Sequence, residues 1–237
     1  MGKLTTRDEV NELAALVGRS PSTASHKTTI AQPVIQRNEW GSVLRDCYAY
    51  HHACHGVVLC LRCHYPIVHP PGRLGTPVTP PARGLYLAPT VCTCGDQWQP
   101  GQSVIAVDDF SQYIGHAEVA DAAAVPSTPR YLAYLDCCRS GWEPSLADAL
   151  IARGTQNVIG FHMAIPDDDA RLMARRFYTT WVGTYGCDPT KIAEVFFQVA
   201  PPFWRPMGPH LFGAGGGTTA SREREATNAA IGDALGG

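Results

Sequence analysis

Short β-favouring runs alternate with amphipathic segments along residues 130–200, and this alternation limits the fold more than any other feature of the chain. Residues 131–135 and 157–161 are apolar runs of strand length. The segments that follow them, opening at Ser145 and at Asp167, carry apolar residues at helical spacing. Strand, helix, strand and helix at this spacing predict an α/β fold with a mostly parallel central sheet.

The preceding part of the chain adds a helix and further short elements. Residues 6–17 place their apolar side chains on one face, which predicts an amphipathic helix. Residues 48–54 have the character of a buried strand. Residues 104–107 predict another strand, and residues 110–116 predict a helical turn.

A segment rich in proline and cysteine interrupts this pattern. Residues 57–101 contain eight prolines and four cysteines. Because proline at this density excludes long regular elements, we interpret the segment as an insertion of loops and short ribbons. It lies within a single predicted domain, residues 1–212. Residues 213–237 are rich in glycine, alanine and threonine, which predicts a flexible tail.

Composition and charge exclude several classes of function. The chain has 237 residues and a formal net charge of −2, so nothing indicates a surface for nucleic acid. It has no apolar run long enough for a membrane span, and its first residues are polar, unlike a signal peptide. We therefore expect a cytoplasmic protein without a membrane or nucleic-acid partner. Nine cysteines, an odd number, argue against a disulfide framework and favour metal binding or catalysis.

Two reactive side chains lie at the ends of predicted strands. His55 follows residues 48–54, and Cys138 follows the strand at residues 131–135. In a parallel α/β sheet the carboxyl ends of the strands carry the reactive groups. A cysteine peptidase needs a thiolate, a base and donors for an oxyanion. His55 and Cys138 can supply the first two, and the N–H groups of Gly56 and Cys138 can supply the donors.

The residues around these positions resemble those of caspase-like cysteine peptidases. Tyr50-His-His-Ala-Cys-His-Gly56 is similar to the strand-ending His-Gly of that fold, and Leu135-Asp-Cys-Cys-Arg-Ser-Gly141 resembles the metacaspase segment Asp-x-Cys-x-Ser-Gly. Residues 145–161 and the following helix, with Phe177-Tyr178, are closest to CHAT domains, as is the helix around Glu9. The resemblance covers roughly residues 6–200.

The resemblance implies a caspase-like three-layer sandwich and a cysteine endopeptidase. Such an enzyme hydrolyses peptide bonds of a protein partner through a His55–Cys138 dyad, without a cofactor, and can have a regulatory protein partner. Two alternatives stay open. One is a catalytically inactive caspase-like scaffold, and the other is a zinc-stabilised protein-interaction module.

Asp136 and Cys137 precede the proposed nucleophile. Asp136 is expected to share a face with Cys138, two residues on. In metacaspases the matching aspartate lines the primary specificity pocket, which implies cleavage after a basic residue. The alternative is an aspartate that caps the turn. Cys137 is the competing nucleophile, although an extended chain directs it to the opposite face.

Ionisation of the thiol is subject to opposing influences. His55 can accept the thiol proton, whereas Asp136 disfavours a thiolate nearby. We therefore expect alkylation of Cys138 to rise between roughly pH 6 and pH 8.

Two sets of side chains could bind metal. Cys60, Cys63, Cys92 and Cys94 form two close pairs, which suits tetrahedral zinc, with His64 or His69 as a replacement ligand. A zinc ion would hold the insertion in shape; four reduced thiols in a loop are the alternative. The three acids at residues 167–169 could suggest calcium, but their place at the start of a helix is explained more simply by the helix dipole.

Overall fold

The computed structural model describes residues 6–18, 47–54, 56–60, 101–107, 112–122, 129–142, 144–163, 165–200 and 208–213. These residues form five α-helices, seven strands and one short 3-10 helix. In chain order they are α1 (Thr6–Gly18), β1 (Ala49–Cys54), β2 (Gly56–Cys60), β3 (Gly101–Val107), β4 (Gln112–Ile114), α2 (His116–Ala122), β5 (Arg130–Cys137), α3 (Ser145–Ala152), β6 (Thr155–Phe161), α4 (Asp167–Gly183), the 3-10 helix (Pro189–Lys191), α5 (Ile192–Val199) and β7 (Pro209–Gly213).

The main sheet has four strands in the order β1-β5-β6-β7. Strands β1, β5 and β6 are parallel, and β7 runs antiparallel to β6. The predicted α/β fold with a mostly parallel sheet is therefore confirmed at this level. The predicted strands at residues 48–54 and 131–135 are neighbours, and Cys54 pairs in register with Cys137.

Alternating residues of β5 separate two apolar cores. Leu132 and Tyr134 lie in a core formed with α1, α4 and α5, whereas Ala133 and Leu135 lie in a second core formed with α2, α3, β3 and β4. This period of two is what a strand covered on both faces requires. The described residues thus form three layers, with the parallel sheet in the middle.

A second, antiparallel sheet of three strands has the order β2-β3-β4. The strand predicted at residues 104–107 is confirmed as part of β3, but the sheet itself was not predicted. Its strand β2 overlaps the start of the predicted insertion at residues 57–101. Val57 and Val58 are β-branched and fully covered, so pairing with β3 outweighs the nearby prolines. The helical turn predicted at residues 110–116 was wrong in part. Residues 112–114 form β4, because they pair with β3.

Strand β7 was also missed, and it places Gly213 in the sheet instead of at the start of the predicted tail. Gly213 has φ 132°, and a β-carbon there would lie 2.0 Å from the carbonyl oxygen of Gln156. Glycine is therefore required where β7 passes β6. Residues 214–237, the rest of the predicted tail, are outside the described ranges. Among the helices described here, none has the length and apolar character to cross a membrane.

Candidate active site

The candidate site lies where β1 and β5 end side by side. Cys54 is the last residue of β1, and Cys137, its partner in register, is the last of β5. Gly56 packs against the backbone of Cys138, the residue that follows Cys137. A β-carbon on Gly56 would lie 1.9 Å from the carbonyl oxygen of Cys138. His55 itself is outside the described residues. The residues on both sides of it are thus held against Cys137 and Cys138.

The absence of a side chain at Gly56 allows β2 to pass directly over the carbonyl of Cys138. Gly141 has a similar place on the other side of the turn. A β-carbon there would lie 3.0 Å from the carbonyl carbon of Gly160 in β6. Both glycines therefore bring two backbone segments together.

The turn after β5, residues 138–142, holds the predicted nucleophile in a defined conformation. Arg139 has a positive φ of 59°, in the left-handed region. Its N–H donates to the carbonyl of Met163 at 3.2 Å, and its own carbonyl accepts from Ser103 Oγ at 2.9 Å. These two hydrogen bonds, to Met163 after β6 and from Ser103 of β3, thus stabilise a conformation that is otherwise uncommon for a non-glycine residue.

Ser140 connects this turn to the next strand. Its buried hydroxyl donates to the carbonyl of Leu135 at 3.0 Å and accepts from the N–H of Phe161 at 3.1 Å. Gly141 N–H donates to the Phe161 carbonyl at 3.0 Å. The Ser-Gly pair that carried the sequence resemblance therefore attaches the turn to β6.

Cys138 is partly buried, and its Sγ donates to the carbonyl of Ile165 at 3.6 Å. Burial raises the pKa of the Cys138 thiol above its ordinary value, and the positive charge of Arg139 acts in the opposite direction. Alkylation is consequently expected at higher pH than the range of 6 to 8 predicted from the sequence.

Cys137, the competing nucleophile, points into the second core. Its side chain is 1% exposed, and burial raises the pKa of its thiol well above the ordinary value. Its Sγ donates to the carbonyl of His52 at 3.3 Å and lies 2.7 Å from Cys54 Sγ. A buried, protonated thiol is a poor nucleophile, so Cys138 is the better candidate.

Asp136 lies beneath α1, in a group of ionisable side chains that the sequence did not reveal. It is 6% exposed, and neither carboxyl oxygen has a hydrogen-bond partner in the structure. It therefore does not cap the turn. Glu9 and His51 lie beside it, with His51 Nε2 bonded to Glu9 Oε1 at 3.0 Å.

The two acids of this group have opposite pKa shifts. Burial, followed by the neighbouring charge of Glu9, raises the pKa of Asp136 well above its usual range. Burial acts in the same direction on Glu9, but the hydrogen bond and charge of His51 outweigh it and lower the pKa of Glu9. Of the two acids, Asp136 is therefore the one that keeps its proton to higher pH, and Glu9 is the one that ionises first.

Among the residues that the structure describes, two groups of three side chains could hold a metal ion. One is Glu9, His51 and Asp136, and the other consists of His52, Cys54 and Cys137; within each, the ligand atoms lie within 4.8 Å of one another. In the second group, His52 Nδ1 is hydrogen-bonded to the hydroxyl of Tyr50 at 2.5 Å. Neither group was predicted, although the alternation in β1 places His52 and Cys54 on one face and His51 on the other.

The predicted zinc ligands are only partly described. Cys60 is completely buried at the end of β2, opposite Gly101. Cys63, Cys92 and Cys94 are outside the described residues, as are His64 and His69, so this zinc site stays a prediction. The acids at residues 167–169 form the first turn of α4, where the helix dipole favours them.

Comparison with known proteins gives no relative. No family model, no curated protein and no solved structure matches this chain.

Proposed function

We propose that this protein is a cysteine endopeptidase in which Cys138 is the nucleophile and His55 is its base. One observation carries the proposal: the backbone of Gly56 packs on the carbonyl of Cys138. Because His55 is covalently joined to Gly56, the proposed base belongs to the segment that lies on the nucleophile turn. The resemblance to caspase-like peptidases, with their three-layer sandwich, remains part of this proposal.

In the proposed reaction, His55 accepts the thiol proton and Cys138 Sγ attacks the carbonyl carbon of the scissile bond. The tetrahedral oxyanion collapses as His55 returns the proton to the leaving amine. Water then hydrolyses the thioester and regenerates the thiol. The resting thiol is protonated, because it donates to Ile165 and its pKa is raised. Proton transfer to His55 is therefore a required step in this mechanism.

The donors for the oxyanion are expected at the start of the turn. The N–H groups of Arg139, Ser140 and Gly141 already donate to the carbonyls of Met163, Cys137 and Phe161. These three groups are thus not available to an oxyanion. The N–H groups of Cys138 and Gly56 remain the proposed donors.

Asp136 supports a preference for a basic residue before the scissile bond. Within the described part of the chain its carboxyl oxygens have no hydrogen-bond partner, and Glu9 provides a second acid next to it. An arginine or lysine side chain brought to this pair would satisfy both buried oxygens and favour ionisation of Asp136. We therefore propose cleavage after Arg or Lys.

A test uses a fluorogenic peptide and an electrophilic peptide ketone, both ending in Arg. Wild type is compared with Cys138→Ala, His55→Ala and, as the matched control on the adjacent thiol, Cys137→Ala, with circular dichroism on each. We expect covalent labelling of wild type and Cys137→Ala only, and loss of cleavage in the other two. Undiminished cleavage by Cys138→Ala would refute the proposal.

An inactive caspase-like scaffold is the second candidate. The raised pKa of Cys138 and the small exposure of Asp136 favour it. The zinc-stabilised interaction module rests on ligands outside the described residues. A folded wild-type protein that neither reacts with the ketone nor cleaves the peptide supports the scaffold.

A further inference from the structure

A pair of cysteines next to the candidate site is not used by the proposed reaction. Cys54 and Cys137 occupy paired positions at the ends of adjacent parallel strands, and their sulfurs lie 2.7 Å apart. Neighbouring strands are about 4.8 Å apart, which lies within the Cα separations that a disulfide spans. The two thiols therefore need no movement of the backbone to become linked.

The two cysteines differ in access, and this difference assigns them different roles. Cys54 is partly exposed, whereas Cys137 is buried in the second core. Negative charge on Cys54 is among the influences that raise the pKa of Cys137, after burial. Cys54 is thus the thiol that an oxidant reaches, with Cys137 beside it as the resolving thiol.

A ring nitrogen of His52 lies within 4.8 Å of both sulfurs, so the same group could instead bind a soft metal. The sulfur separation distinguishes these two uses. Thiolates bound to a tetrahedral zinc at about 2.3 Å are held roughly 3.8 Å apart. The observed 2.7 Å is about 1 Å shorter, so a metal would have to separate the pair. The geometry favours direct bonding between the sulfurs.

We infer that Cys54 and Cys137 form a reversible disulfide when the protein meets a peroxide. The Cys54 thiolate attacks one peroxide oxygen, the O–O bond breaks, and the products are a sulfenic acid and hydroxide, which takes up the proton of the Cys137 thiol to give water. The Cys137 thiolate then displaces the hydroxyl of the sulfenic acid as hydroxide while the S–S bond forms, and this hydroxide takes up the proton that Cys54 released on ionisation to give a second water. The two cysteines are oxidised and the peroxide is reduced.

The experiment is peptide mapping of the full chain after treatment with hydrogen peroxide and blocking of remaining thiols. Trypsin releases one peptide from Asp46 to Arg62 and another from Tyr131 to Arg139, and the second contains both Cys137 and Cys138. In Cys138→Ala, Cys137 is the only thiol of this second peptide. In wild type, fragmentation of the linked peptide shows independently which of the two cysteines carries the link. The readout does not depend on peptidase activity.

We expect the two peptides to be linked in wild type and in Cys138→Ala, and to separate on reduction. Cys54→Ser should lower the yield of the link by about tenfold or more, whereas Cys187→Ser, a substitution in the other core, should not. Peroxide that gives only sulfinic or sulfonic acid at Cys54 would overturn the inference. A second outcome would also overturn it: added zinc binds stoichiometrically and protects both thiols from oxidation, and this binding is lost in Cys54→Ser. The group would then be a metal site.

Discussion

Gly56 lies so close to Cys138 that a β-carbon on it would stand 1.9 Å from the Cys138 carbonyl oxygen. Gly56→Ala must therefore displace either β2 or the nucleophile turn. We expect a loss of about 1–3 kcal/mol in the free energy of unfolding and loss of ketone labelling at Cys138. Urea unfolding and mass spectrometry of the labelled chain measure these effects. Gly183→Ala is the control, since nothing lies within 4 Å of its added methyl group. Comparable losses in both variants would show that the contact between Gly56 and Cys138 is not the cause.

Ser140 connects the nucleophile turn to β6 through a buried hydroxyl. Ser140→Ala leaves the N–H of Phe161 without this acceptor, which costs about 1–3 kcal/mol of unfolding free energy. Chemical denaturation provides the measurement. Thr179→Ala, at an exposed position of α4, removes a hydroxyl without breaking a buried bond and should be nearly neutral. Equal stabilities of Ser140→Ala and wild type would show that the hydroxyl does not hold the turn.

The raised pKa of Asp136 predicts a dependence of stability on pH. Between the ordinary carboxyl value of about 3.9 and the raised value, the folded chain retains a proton that the unfolded chain has lost. The contribution of this group to stability therefore decreases as pH rises. Asp136→Asn has no titrating group at this position and should not lose stability in this way. The free energy of unfolding of Asp136→Asn, relative to that of wild type, should therefore increase by about 1 kcal/mol or more between about pH 5 and pH 8.

Unfolding curves of both proteins at the two pH values measure this difference. A constant offset between them is expected from the buried amide and does not bear on the prediction. Asp168→Asn makes the same replacement at an exposed position and serves as the control. A difference between Asp136→Asn and wild type that does not change with pH would contradict the assignment of the proton to Asp136.

Burial predicts a weakly acidic thiol at Cys138. The rate of alkylation of Cys138 by iodoacetamide should still be increasing at about pH 9. Because Arg139 lowers this pKa, Arg139→Asn should decrease the rate at about pH 8 by roughly two- to threefold, whereas Arg139→Lys should preserve it. Asparagine tolerates the positive φ of this position. A rate that levels off by about pH 7 would show an acidic thiol and exclude this description.

The inferred disulfide has a consequence for stability. It would join residues 83 positions apart, so it restricts a large loop in the unfolded chain. Oxidised protein should be more stable than reduced protein by about 2–4 kcal/mol. Denaturation with and without reductant, on wild type and on Cys54→Ser, measures the difference. An equal effect of reductant on both proteins would point to other cysteines.

Local patterns in the sequence were sufficient to predict the elements of the main sheet. The strands at residues 48–54, 131–135 and 157–161, and the helices that follow the last two of them, were recognised from patterns that depend only on near neighbours. The α/β class followed from that order. Of the second sheet only β3 was recognised, at residues 104–107. Strand β4 was missed because its strand character comes from pairing with β3 and not from its own three residues.

The sequence determined which side chains come at the ends of β1 and β5, including Cys138 and Asp136, since strand order and alternation are written in the chain itself. The tertiary structure alone decided what these side chains meet. Glu9 reaches Asp136 only because α1 packs on that face of the sheet, and Cys54 meets Cys137 only because two strands pair in one particular register. Contacts between residues far apart in the chain depend on packing and register, which no local pattern contains.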